Sequence, residues 1–257
     1  MKNGLKYLTL MLALIANTAK ANISIYPFSV YFEEDTRKRV QSVRIINSSD
    51  KVQTYRVNLV DFDQDEKGKL TEVSESLTSA KPYVSWSPRQ FTLNPKEVQT
   101  INVARRGLAK AKDGEYVSHL KISEVNLGAP KLDSNDANSD TISMKIDVLF
   151  AVTIPVTVEK GDGLVAKTSL IDWKKVGNDK LNITLKREGN KSSRLNVYVL
   201  DEKNQELGKI KGVKIYMTTE TLNIDIPLNK NLNNVNALLK LEDAKSEKEI
   251  LRQPIRL

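Results

Sequence analysis

The fold class predicted for this 257-residue chain is all-β, arranged as two antiparallel sandwiches. Three observations predict it. Apolar and polar residues alternate in short runs that recur at intervals of roughly ten residues, with turn residues between them. Helical periodicity of the 3.6-residue kind is almost absent. After Pro155 the same strand-and-turn pattern starts afresh and runs as far as Leu241.

The elements can be justified in order. Lys2 and Lys6 flank the start of an apolar run from Tyr7 to Ala16, and Ala19, Lys20 and Ala21 follow it with small residues at the positions a signal peptidase reads. Residues 1–21 are therefore expected to be a cleaved leader, with the mature chain starting at Asn22. The run is too short to cross a bilayer comfortably, and no later stretch reaches the roughly 20 apolar residues a membrane helix needs. A soluble secreted protein without membrane insertion is expected.

Within the mature chain, Val43 and Ile45 flank Arg44, Tyr55, Val57 and Leu59 alternate with Arg56 and Asn58, and Ile101 and Val103 flank Asn102. Each run presents one apolar face of an extended strand. The runs are punctuated by Asn47 to Asp50, Lys67-Gly68, Asn94-Pro95 and Asp113-Gly114. A long polar loop from Leu127 to Asp140 then leads into Ile142, Met144, Ile146 and Val148, separated by Ser143, Lys145 and Asp147. That alternation continues through Phe150, Val152 and Ile154 to Pro155, longer than an ordinary strand. A strand of that length at a sheet edge would offer itself to a partner. Further strands are expected near Val165 to Ile171, Leu181 to Lys186, Leu195 to Leu200, Val213 to Tyr216, Leu222 to Ile226 and Ala237 to Leu241. The boundary between domains is placed after residue 157, giving domains 22–157 and 158–257 joined by a few residues, with a cleft between them.

Composition narrows the function. The chain carries a formal charge of +8, which falls to +5 without the leader's three lysines. Its Lys and Arg are scattered and aromatic residues do not interleave with them, so nucleic-acid binding is not expected. It has no cysteine, so an exported protein of this kind must hold itself together by packed cores. Catalytic constellations are missing as well. His119 is the single histidine and falls on the polar face of a strand, where it is expected to be solvated; without cysteine or a second histidine, zinc is not expected. Asp61, Asp63, Asp65 and Gly68 resemble a calcium loop, but the glycine comes two positions late, so an acidic turn is the simpler reading. Asn47, Asn182 and Asn190 begin glycosylation-type triplets short enough to arise by chance.

Asn22 to Phe32 (NISIYPFSVYF), Tyr83 to Pro95 (YVSWSPRQFTLNP) and the strand from Ile142 to Pro155, behind a secretory leader, together resemble a periplasmic pilus chaperone of the chaperone-usher pathway. The resemblance covers most of the mature chain and is strongest in the first domain. It implies two immunoglobulin-like sandwiches in a boomerang, with the long strand as the last strand of the first. It also implies a non-enzymatic protein without metal or cofactor that works in the periplasm. Such a protein binds fimbrial subunits one to one, lends each a strand to complete its core, and delivers it to an outer-membrane usher. The donated side chains would be Ile142, Met144, Ile146 and Val148. The pattern alone leaves open that these four face the chain's own core.

Many members of that family hold the subunit's terminal carboxylate with two basic residues, at places that here hold Ser29 and Phe150. The chain thus looks closer to the alternate or archaic branch. A carboxylate still needs a cation, and arginine presents a planar fork of donors to it. Arg89, Arg105 and Arg44 are the candidates in the first domain, with Arg89 preferred because it follows Trp86 and Pro88. An alternative is a two-domain structural or adhesive component of a surface fibre. That would be expected to carry its own donor extension near the mature start, whereas Asn22 leads almost directly into a strand.

Overall fold

The structure is a computed structural model, and it describes residues 22–33, 38–125, 149–229, 232 and 234–257. The described residues form strands β1 (Ile23–Tyr26), β2 (Val30–Phe32), β3 (Val40–Asn47), β4 (Gln53–Gln64), β5 (Leu70–Val73), β6 (Val84–Ser87), β7 (Gln90–Leu93), β8 (Val98–Arg105), β9 (Gly114–Val125) and β10 (Ala151–Lys160) in a first sandwich. A second sandwich contains β11 (Ala166–Val176), β12 (Lys180–Gly189), β13 (Ser193–Leu200), β14 (Glu206–Ile215), β15 (Thr221–Pro227), β16 (Asn236–Asp243) and β17 (Glu249–Arg256). Two single turns of 3-10 helix, Lys81–Tyr83 and Leu108–Lys110, are the only helical segments among the described residues.

In the first sandwich one sheet runs β1-β3-β8-β6. The other runs β2-β10-β9-β4, with β5 and β7 pairing opposite ends of β4. Strict alternation decides which side chains meet between them. In β3 the sequence VQSVRIIN buries Val43 and Ile45 and leaves Arg44 exposed. Ile45, Ile101, Tyr55, Leu120 and Phe32 are among the fully buried side chains there. Trp86 of β6 reaches across the core, and its indole N–H donates to the Val57 carbonyl of the facing sheet at 3.0 Å. Buried aromatic groups of this kind need such a partner.

The second sandwich packs the sheet β11-β12-β15 on β14-β13-β16-β17. Leu181, Ile183 and Leu185 of β12 face Leu195, Val197 and Val199 of β13 in a separate core. Each of the six strands expected in this half is present. The strand β17 had no counterpart in the reading of the sequence, because EILRQPIR is mostly exposed and does not alternate. β10 runs on to Lys160, with Val158 in the first core, and β11 starts at Ala166.

Candidate functional site

The feature that positions the candidate site is a change of sheet near the mature start. β1 pairs with β3 in one sheet, whereas β2 pairs with β10 in the other, and Pro27, Phe28 and Ser29 make the crossing. β10 pairs antiparallel with β9 along its whole length, from Ala151 opposite Ser123 to Lys160 opposite Gly114. On its other side it meets β2 only at Val156, Thr157 and Val158. Among the described residues, Ala151 to Pro155 therefore has no strand on that side.

Side-chain burial follows the pleat. Ile154, Val156 and Val158 are buried and Val152 packs against the same core, so the even-numbered residues of β10 point inward. Leu149 and Phe150, just before the strand, are each about half exposed. Phe150 is held to β9 at both ends of its peptide unit. Its carbonyl accepts from the Glu124 N–H at 2.9 Å, and its own N–H donates to Glu124 Oε2 at 3.3 Å. Ile142, Met144, Ile146 and Val148 lie outside the described residues.

A second feature is a cleft of about 600 Å³ between the sandwiches, lined by Tyr31 and Glu33 on one side and by Lys191, Arg194 and Lys245 on the other. The Tyr31 hydroxyl donates to Glu159, which also pairs with Lys191. Burial and the neighbouring Glu159 carboxylate push that hydroxyl's pKa upward. The Arg194 guanidinium lies 4.8 Å from the Tyr31 ring centre. Lys245 pairs with Glu33 and holds its carboxyl below the usual range.

The three candidate arginines are spread over the first domain. Arg89 is exposed, its guanidinium 4.5 Å above the Trp86 ring. Arg44 is exposed on β3, opposite Tyr26 and Thr100. Arg105 ends β8 and donates to the Glu33 carbonyl at 3.2 Å, which brings it beside the cleft. Ser29 and Phe150 are both exposed and neither carries charge. The cations actually in the cleft, Lys191, Arg194 and Lys245, come from the second sandwich. No local pattern marks them, since only the packing of the two domains brings them to Tyr31.

Behind the cleft the domains meet through polar groups, and here two expectations are corrected. His119 is not solvated: it is 4% exposed. Its ring stands edge-on to Phe62, with centroids 4.9 Å apart, and its Nε2 lies 3.4 Å from the Tyr216 hydroxyl of the second sandwich. Burial, aided by the charge of Lys214, pushes its pKa down to about 4. The outer face of β9 would be wet at this point in an isolated first domain, but the second domain covers it. Asp61 and Asp63 likewise belong to β4 rather than to a turn. Asp61 is buried, accepts from Ser118 Oγ at 2.6 Å and Ser79 Oγ at 3.1 Å, and pairs with Lys81 at 3.0 Å. Only Asp65 makes the expected turn, accepting from the N–H groups of Lys67 and Lys69 at 2.9 Å each.

Gln64, at the end of β4, joins the domains most directly. Its side chain donates to the Lys214 carbonyl and accepts from the Tyr216 N–H, both at 2.9 Å. Its own N–H donates to Thr218 Oγ1 at 3.3 Å, and its carbonyl accepts from Thr219 Oγ1. Ser192 bonds Glu115, and the Glu66 carbonyl accepts from the Asn223 N–H at 2.7 Å.

No protein-family model and no curated protein sequence matches the chain. Solved structures do. A chain of the CsuC–CsuE chaperone–tip adhesion subunit pre-assembly complex, from the archaic chaperone-usher Csu pili of Acinetobacter baumannii, aligns over 92% of this chain and 98% of its own, with 14% identity and a TM-score of 0.50. The YadV chaperone aligns over 92% of this chain and all of its own, with 14% identity and a TM-score of 0.49. The complex of Salmonella enterica SafA pilin with the SafB chaperone provides a chain matched over 93% and 98%, with 10% identity and a TM-score of 0.48. The likeness to the Csu chain is one of fold: these residues form the same all-β pair of sandwiches.

Proposed function

We propose that this chain is a periplasmic chaperone that completes fimbrial subunits by lending them a strand and then passes them to an outer-membrane usher. The observation that carries the reading is that, among the described residues, β10 from Ala151 to Pro155 has a strand on one side only, directly after the alternating segment that begins at Ile142. An open main-chain edge recruits a partner strand, and alternate side chains give that pairing its specificity. Ile142, Met144, Ile146 and Val148, at every second position of that segment, are the proposed donor side chains. A subunit that lacks its last strand presents a groove suited to those four side chains.

Burying each of the four is worth about 1.5 to 3 kcal/mol before the cost of ordering the segment is subtracted. The complex would hold firmly, yet a better-matched strand from a neighbouring subunit could displace it at the usher. The cleft is the proposed place for the subunit's terminal carboxylate. Arg105 stands beside it and Arg194 lies within it, and an arginine fork can bind a carboxylate through two hydrogen bonds. Arg89 and Arg44 lie on other parts of the first domain.

The test is co-expression in a bacterial periplasm with candidate pilin subunits, comparing the parent with Ile146→Asp. The expected result is a subunit that becomes soluble and co-purifies one to one with the parent and is lost with Ile146→Asp, while the variant itself stays folded. If no subunit is stabilised, or if the substitution leaves binding intact, strand donation through this face is wrong.

A further inference from the structure

His119 is the chain's single histidine, and the two sandwiches enclose it between them. Phe62 of β4 stands edge-on to its ring from the first sandwich, and the Tyr216 ring of the second lies 6.0 Å away between centroids. Nε2 faces the Tyr216 hydroxyl, whereas Nδ1 is buried without a hydrogen-bond partner among the described atoms. A charged imidazole donates from both nitrogens, so a proton taken up here leaves one buried donor without an acceptor.

The surrounding charges do not welcome that proton either. Lys214 of β14 has its ammonium 4.1 Å from the Tyr216 ring centre, and burial brings its pKa down only to about 8, so it is a cation throughout the acid range. Arg194 of β13 adds positive charge at Tyr216 and Lys214. Asp61 of β4 acts in the opposite sense. Val60 is the cross-strand partner of His119, however, so Val60 and Phe62 share its face while Asp61 points to the other, where Lys81, Ser79 and Ser118 hold it. Glu115, four residues along β9 on the same face as His119, is bonded by Ser192 and lies 4.0 Å from Lys214. Glu159, opposite Glu115 on β10, is taken up by Tyr31 and Lys191.

We infer that the contact between the two sandwiches is a proton-linked hinge: a proton on His119 drives Tyr216 and Lys214 away from β9, parting the domains while each core stays folded. The ring has its own sheet on one side and the second sandwich on the other, and the two apolar cores share no residue. Moving the second sandwich aside therefore gives the imidazolium water without unpacking either core. The same movement draws Arg194 from the Tyr31 ring and opens the cleft in acid. A histidine that titrates at 6.5 when wet and at about 4 when covered shifts the balance between parted and closed forms by about 70-fold between pH 7.5 and pH 4.5.

Native-state hydrogen exchange on the intact protein tests this. The Tyr216 and Asn223 amides donate across the domain contact, to Gln64 Oε1 and the Glu66 carbonyl, and so report parting. Amides within β9 and β13 report unfolding of each sandwich. Because there is one histidine, its Cε1–H resonance follows the titration directly. In the parent, His119 should titrate well below 6.5, and protection of Tyr216 and Asn223 should fall about 70-fold between the two pH values while staying well below that of β9 and β13. In His119→Gln the fall should nearly vanish. Lys214→Met, which removes the neighbouring cation, should move the titration upward and reduce the fall. Three results would each overturn the hinge: titration of the parent histidine at its ordinary value, exchange of Tyr216 and Asn223 in step with the two cores at both pH values, or an undiminished fall in His119→Gln. Should His119→Gln not fold, the first two results and the Lys214→Met titration still decide.

Discussion

His119 shows how one side chain can report on the contact between two domains. Phe62, Tyr216, Asp61 and Lys214 surround it, and its Nδ1 has no hydrogen-bond partner among the described atoms. The folded protein keeps it neutral until the pH falls to about 4, whereas its ordinary value is 6.5. As pH falls, the unfolded chain takes up the proton first. Its contribution to stability is therefore complete above 6.5 and is lost as the pH falls from there towards 4, by about 3 kcal/mol for a shift of this size. Urea unfolding at pH 7 and pH 4.5 should show this loss in the parent and a smaller one in His119→Gln. An equal loss in both would assign the dependence to other groups. Arg187 does its work inside the second sandwich: its buried guanidinium donates to the carbonyls of Thr219, Gly189, Lys191 and Met217 at 2.9 to 3.4 Å. Arg187→Met leaves these acceptors without their donor and should cost about 3 kcal/mol, read from the urea midpoint.

Among the elements, β10 combines two environments in ten residues. Its second half is paired on both sides, by β9 and β2, and its first half on one. Hydrogen exchange on the free protein should divide it accordingly. Amides between Ala151 and Ile154 that point away from β9 should exchange orders of magnitude faster than those between Val156 and Val158. Uniform protection across the strand would mean that its outer side is covered. The cause of the asymmetry lies elsewhere in the chain, where the first strand leaves one sheet at Pro27 and joins the other at Val30. A single uninterrupted strand beside β10 would have closed this edge. By changing sheets, the chain leaves that side of β10 without a strand among the described residues.

For the whole molecule, Gln64 and the polar contacts around it tie the two cores together. Unfolding should consequently proceed as one transition, although each sandwich has its own core. Gln64→Ala removes two interdomain hydrogen bonds to the backbone at Lys214 and Tyr216. It should cost about 1 to 3 kcal/mol and broaden or split the calorimetric transition. A single peak at an unchanged temperature would show that the other contacts suffice. This coupling also bears on the cleft, because Tyr31 and Arg194 remain opposed only while the two sandwiches keep their relative placement.

The sequence by itself determined the all-β class, the restart after Pro155 and most of the strands, because alternation is a local signal and each half-buried strand writes its two faces into successive residues. Of the long strand expected from Ile142, the described residues include the part from Ala151. Only the tertiary structure decided that, among the described residues, the first half of β10 has a strand on one side alone, since that depends on which sheet the residues before Val30 join. It alone buried His119 and Asp61, whose neighbours in sequence look like those of a wet strand face and an acidic turn. It likewise brought Lys191, Arg194 and Lys245 to Tyr31, more than 150 residues away along the chain. Burial at a domain interface is conferred by residues distant in sequence, and no periodicity within one strand can encode it.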